Sequence, residues 1–264
     1  MIWNQIVWWG VPTLALWLAG ALTGKRWTRL ALALSLAGWF CLGTFTALLW
    51  RELGRPPIRT LGETRLLYAF VLAGLGIWTA WSSGYAWLLA ASNLLASVFL
   101  AILMARPGMQ AGPLMPALQS AWFVPHVAAY IIAYAILGVG TLMALRQLLF
   151  PRRGSSADTR LLPAIDAVVR LGFSFLVLGM LTGAVWAKEA WGHYWSWDPK
   201  ETWAAITWLS YLVYVHYRNL PHHRERLALW MLIVSFVLLQ MCWWGINYLP
   251  SAQGSSVHTY SMSE

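Results

Sequence analysis

Eight apolar runs, each close to the length that crosses a bilayer, constrain this chain more than any other feature. They cover approximately 3–23, 29–50, 66–82, 86–104, 126–149, 169–187, 203–217 and 227–246. A hydrocarbon core about 30 Å thick takes about 20 mainly apolar residues as a helix. The composition points the same way: 59% of the 264 residues are hydrophobic and 10% are charged, whereas a soluble domain carries about 25% charged residues. The abundance of aromatics excludes disorder. The 21 glycines and 12 prolines are too ordinary a share for a low-complexity chain. The expected fold is all-α, a polytopic integral membrane bundle of about eight transmembrane helices. It forms a single integral membrane domain over 1–264, with both termini on the external side.

The formal charge of +9 comes from 18 basic and nine acidic residues. The basic residues sit in short clusters between apolar runs, not on one solvated face, so a nucleic-acid partner is excluded. Loop charge sets orientation in a multi-spanning protein. Placing Lys25–Arg29, Arg146–Arg170 and Arg218–Arg226 inside gives that side 11 of the 18 basic residues and three acids. The outer side then holds seven basic and six acidic residues. The first run is followed by Lys25, Arg26 and Arg29 and lacks a basic segment before it, so it reads as a retained helix and not a cleaved signal. Cys41 and Cys242 each lie in an apolar run, and no CxxC occurs, so both read as buried apolar thiols. Gly20-x-x-x-Gly24 and Gly179-x-x-x-Gly183 read as close helix contacts. No internal repeat suggests an inverted-repeat transporter.

The segment most informative about function is 186–203, between the sixth and seventh runs. It holds Trp186, Trp191, Trp195, Trp197 and Trp203, interleaved with Lys188, Glu189, Asp198, Lys200 and Glu201. An interfacial aromatic belt accounts for one or two such rings. Five in 18 residues, with polar groups between them, form the kind of platform that a large planar ligand needs. Asp198, Pro199 and Glu201 also spell a helix start: N-cap acid, first-turn proline and capping-box acid. The amides at that helix start could hold an anionic ligand group.

His126 opens the fifth run and His258 follows the eighth, and the topology brings both to the face that carries the tryptophans. Two neutral imidazoles on opposite sides of a macrocycle can ligate haem iron. Either histidine taken alone could equally be an ordinary hydrogen-bonded side chain. Tyr130 and Tyr134 share the helical face of His126, where they either line the same pocket or pack. His216 stands at the inner end of the seventh run. An ionisable residue at membrane depth suggests function, but one so near the interface could also snorkel. His222 and His223 read as solvated, and the role of His193 stays open.

Trp191-Gly192-His193-Tyr194-Trp195-Ser196-Trp197-Asp198-Pro199-Lys200-Glu201 resembles the tryptophan-rich WWD signature of haem-handling proteins of cytochrome c maturation. Its form is similar to that of the CcsA/ResC branch, the synthase subunit of the system II pathway. Gly54-Arg55-Pro56-Pro57 with Glu63-Thr64-Arg65, Thr207-Trp208 through His216, and Gly245-x-Asn247 through His258-Thr259-Tyr260 extend the resemblance to about two-thirds of the chain.

The resemblance implies that His126 and His258 are external axial ligands and that His216 belongs to an inner haem site used before export. Trp191, Tyr194, Trp195, Trp197, Asp198, Trp203 and Tyr130 would then hold haem b, with Arg55, Arg59, Lys188 and Lys200 as candidates for its propionates. The implied activity is that of a cytochrome c haem lyase subunit. It would work with a CcsB/ResB membrane partner, which this chain does not contain, and join haem vinyls to the thiols of an apocytochrome CxxCH. Its implied site is a bacterial-type plasma membrane, with the WWD segment facing the periplasm or exterior. No residue reads as a general acid or base, so positioning is the expected contribution. The alternatives are a CcmC-type haem exporter or chaperone that feeds a separate ligase, and a structural membrane protein anchored by its tryptophans.

Overall fold

The computed structural model describes residues 2–23, 28–107, 116–150 and 156–249. It divides into two compact units, Met1–Leu118 and Gln119–Glu264. Among the described residues each carries four long helices.

The first unit contains α1 (Ile6–Thr23), α2 (Thr28–Leu53), α3 (Leu61–Ser83) and α4 (Ala86–Ala105). α1 packs against α2 and α4, and α3 packs against α4 and α2. Helices in lipid gain little from hiding apolar surface, so small residues and interhelical hydrogen bonds join them. Gly20 admits α2 closely: a Cβ there would lie 2.9 Å from Ser35 Oγ. Asn93 Nδ2 of α4 donates to that same oxygen at 2.7 Å, and both side chains are fully buried. Gly38 likewise makes room for the buried Trp17 ring.

α3 starts at Leu61, five residues before the apolar run that marked it. The cause is a capping box. Thr60 Oγ1 accepts from the Glu63 amide at 3.1 Å, while Glu63 Oε2 accepts from the Thr60 amide at 3.3 Å. Glu63 is only 1% exposed, and Arg55 reaches both of its oxygens at 2.9 Å. A charged residue therefore enters the helix because its charge is already paired.

The second unit contains α5 (Phe123–Leu149), α6 (Ser156–Trp191), α7 (Pro199–Arg218) and α8 (Glu225–Trp243). α5 runs along α6 and α8, and α7 packs on α8 and α6. α6 is 36 residues long and starts well before the expected 169–187 run. Charged residues ended the apolar run without ending the helix. Asp166 on this extension accepts from Tyr214 at 2.7 Å and from Arg218 Nε at 2.8 Å, with Arg218 Nη2 on its other oxygen at 2.7 Å. That bidentate pair ties α6 to the end of α7.

Among the described residues, seven helices are long and apolar enough to cross a membrane. α7 is outside that set although its 20 residues are long enough. Trp203, Trp208, Tyr211, Tyr214 and Tyr217 stand where aliphatic side chains would raise its apolar character. The all-helical membrane architecture is therefore as expected, and each of the eight runs falls within or largely within one of the eight helices, with α3 and α6 starting earlier than their runs.

Candidate functional site

The tryptophan-rich segment consists of the end of α6, a short loop over 192–198 and the start of α7, each helix end closed by its own chemistry. α6 ends at Trp191, and Gly192 follows at φ 87°, its amide donating to the Lys188 carbonyl at 3.0 Å. Glycine enters this left-handed region without steric cost. Lys188 then folds over the loop: Nζ donates to the Gly192 carbonyl at 2.7 Å and lies 5.6 Å from the centre of the Tyr194 ring. The lysine that was a candidate for a propionate is occupied with its own loop.

The other end is the start of α7. Asp198 Oδ1 accepts from the Glu201 amide at 2.8 Å, and Glu201 Oε2 accepts from the Asp198 amide at 3.3 Å. The same Glu201 oxygen also takes the Ser196 amide at 2.7 Å and the Ser196 hydroxyl at 3.2 Å. One carboxylate thereby grips the chain on both sides of Trp197. That residue has φ 59°, a left-handed conformation that is unfavourable for a side chain. Its indole is 69% exposed, and Tyr194 beside it is 58% exposed. Trp195 meets Trp197 edge-on, with centroids 5.5 Å apart. The Nε1 of Trp195 is buried, with no acceptor among the described residues.

His126, in the first turn of α5, is held against α6. Its Nδ1 lies 2.8 Å from the Gly179 carbonyl. A carbonyl only accepts, so this contact assigns the proton to Nδ1 and leaves the ring lone pair on Nε2. The imidazole stacks on Trp186 at 5.3 Å and 21°, and Tyr130 meets its edge at 4.8 Å. Trp186 touches Phe123 at 5.1 Å and Trp191 at 4.7 Å. The histidine is thereby linked, through one stacked and one edge-on ring contact, to the start of the tryptophan loop. Ser120 Oγ, just before α5, adds a hydrogen bond of 2.7 Å to Glu189 near the end of α6.

The expected residues fall into groups. Tyr130, Trp191 and His126 come together, with Tyr134 stacked on Tyr130 at 5.4 Å. Trp195, Trp197 and Tyr194 project from the loop, and exposed His193 lies among them. Asp198 is buried in its cap and Trp203 stands in the first turn of α7. His216 sits near the other end of α7, with Nδ1 2.9 Å from the Leu212 carbonyl and its ring exposed. Eighteen residues of helix separate it from Asp198, about 27 Å at 1.5 Å per residue. His258 lies outside the described residues. In the first unit Arg55 is committed to Glu63. Burial and the neighbouring Arg55 lower the affinity of Arg59 for its proton, against the pull of Glu63.

Reading the sequence for ligands passed over Trp186 as a wall of the histidine. The signal was present: Gly179, Gly183 and Trp186 follow one another at helical spacing, and small residues facing a ring allow close approach.

Fold and site together define a polytopic helical membrane protein that displays an aromatic loop beside a helix-clamped histidine. A family model described as cytochrome c assembly protein matches residues 58–252. The chain belongs to that family, in its CcsA branch. The cytochrome c biogenesis protein CcsA of Synechococcus elongatus is 32% identical over 275 positions, covering 83% of each chain. The CcsA of Chlamydomonas reinhardtii is 38% identical over 180 positions, covering 66% of this chain and 50% of its own length. A solved structure titled cytochrome c haem lyase CcmF shares the fold, with a TM-score of 0.68 at 19% identity over 91% of this chain and 46% of that one. The chain thus spans about half the length of the Chlamydomonas relative and of CcmF.

Proposed function

We propose that this chain is the haem-binding subunit of a cytochrome c synthase. It presents haem b at the outer membrane face for attachment to the CxxCH of an apocytochrome, working with a CcsB/ResB-like membrane protein. The observation that carries this reading is the clamped His126 ring, with its proton on Nδ1, next to an exposed aromatic loop. Metal-binding histidines characteristically give their other N–H to a carbonyl or carboxylate, and this one does. The residues suit haem in other respects. The exposed Tyr194 and Trp197 rings match a planar macrocycle. The buried Trp195 Nε1 is a donor that a propionate oxygen would satisfy.

The attachment adds each cysteine S–H across a vinyl C=C of the haem substrate. Sulfur bonds to one carbon, hydrogen to the other, and nothing is oxidised or reduced. In this reading His126, with Nδ1 held by the Gly179 carbonyl, and His258 would be the two residues that hold haem. The aromatic loop fixes the plane of the macrocycle, and Glu201 fixes the loop. Holding reactants in register replaces a bimolecular encounter with a near-unimolecular step. The histidine of the incoming CxxCH would compete with His126 or His258 for the haem, which would loosen the product. His216, at the far end of α7, belongs to an inner site that haem occupies before export.

The test is His126→Ala and His258→Ala in the full chain expressed with a CcsB-like partner. Both lose the bis-histidine absorption spectrum and holocytochrome yield, and added imidazole restores part of each. Unchanged haem content in both variants would overturn the assignment. His216→Ala lowers occupancy of the outer site, and normal occupancy would reduce His216 to a snorkelling side chain. Haem bound normally by the unmodified pair without any holocytochrome would favour a CcmC-type chaperone instead.

A further inference from the structure

The α5–α6 contact contains four glycines that admit a neighbouring side chain, and two of them differ from the others in what they admit. A Cβ on Gly172 would meet Leu137 Cγ at 2.7 Å, and one on Gly140 would meet Val169 Cγ2 at 3.2 Å. Those are aliphatic contacts of ordinary helix packing. A Cβ on Gly183 would instead lie 2.5 Å from Nδ1 and 2.6 Å from Cε1 of His126. One on Gly179 would lie 2.6 Å from Tyr130 Cδ1. Gly179 also supplies the carbonyl that holds Nδ1 at 2.8 Å, and Trp186 covers the imidazole face at 5.3 Å. Helical positions 179, 183 and 186 lie on one face. They give the ring a floor, a hydrogen-bond acceptor and a wall.

We infer that Gly179, Gly183 and Trp186 form a socket on α6 that sets the tautomer and direction of His126, and are positioning residues for the axial ligand. The inference rests on the reading that His126 ligates haem iron. It gives the Gly179-x-x-x-Gly183 pattern a task beyond close packing. An alanine methyl at 183 would occupy the place of the imidazole edge. The ring, pinned between Trp186 and Tyr130, could make room only by leaving the carbonyl. Nδ1 would then lose its acceptor, and Nε2 its aim. Loss of the group that orients a metal ligand typically costs about 10-fold to 100-fold in metal affinity.

The full chain is purified as Gly183→Ala, Gly172→Ala and His126→Ala, and haem is read by absorption and electron paramagnetic resonance. Gly183→Ala lowers haem retention about 10-fold and replaces the bis-histidine low-spin signal. Gly172→Ala, with a similar overlap at the same helix pair, keeps that signal. A spectrum changed equally by Gly172→Ala would show that the glycines act only through packing, and the socket would be wrong. So would a Gly183→Ala spectrum like that of the unmodified chain while His126→Ala loses it. If His126→Ala itself keeps the spectrum, it is the ligand reading that fails. Should Gly183→Ala not fold, 15N NMR of histidine-labelled unmodified chain decides. The resonance missing in His126→Ala must be the Nδ1–H tautomer, and an Nε2–H tautomer sinks the socket.

Discussion

Thr60–Glu63 in the first unit and Asp198–Glu201 in the second are the same helix-starting device put to different uses. In both, an N-cap side chain takes the third amide and a glutamate reaches back to the cap. Glu63 meets an arginine with both oxygens and also takes the Arg59 amide at 2.6 Å. The result is a closed, buried knot in which charge meets charge. Glu201 grips main-chain amides and a hydroxyl on either side of a left-handed tryptophan. The result is a loop that is firm at its base and exposed at its tip. A capping box can therefore either seal a helix start or hold out a binding surface. What decides is whether the acid's remaining capacity goes to a cation or to the backbone of a neighbouring loop.

The largest effect that follows falls on the sealed box. Glu63→Ala leaves the half-buried Arg55 without its carboxylate, and breaking such a pair costs about 3 kcal/mol. Thermal unfolding in detergent should show that loss, while the haem absorbed per folded molecule stays constant. Equal loss of haem would mean that the first box also serves the site.

Glu201→Ala is smaller in stability and larger in function. It strands the Ser196 and Asp198 amides, which costs about 2 kcal/mol, and frees the loop around Trp197. Haem per folded molecule should fall sharply, and Glu201→Gln should recover part of it by keeping one acceptor. If Glu201→Ala lowers the melting temperature alone, the two boxes do the same job.

Trp197→Gly is the smallest in stability, with the two effects in opposite directions. A residue without Cβ removes the left-handed strain, a gain of about 1 kcal/mol. It also removes the exposed ring that the proposed function sets against haem. Melting should rise slightly as haem retention drops. A drop in both would show that the Trp197 side chain anchors the loop.

Much of this was legible in the chain before any coordinates. Asp-Pro-Lys-Glu spells a helix start whose signals lie next to each other, and α7 begins there, at Pro199. Thr60-x-x-Glu63 carries the same code, yet it sits in a charged stretch that looked like loop. Its acid enters a helix because Arg55, eight residues earlier, neutralises it. The early start of α6 was hidden in the same way, since Asp166 finds Tyr214 and Arg218 at separations of 48 and 52 residues. Charge ends an apolar run without ending a helix whose charges find partners elsewhere in the fold.

Order along the chain was enough to determine how many long helices the described residues form and roughly where each lies. In lipid a segment must satisfy its own backbone, and a run of apolar residues records that need locally. It was also enough to determine the aromatic loop and the cap at its base. Which nitrogen of His126 carries the proton, which ring lies over it and why Gly183 faces it were decided by the tertiary structure alone. Those properties depend on a carbonyl 53 residues away in the chain. Small residues at helical spacing mark a face that another helix approaches, but they name neither the partner residue nor the atom it bonds.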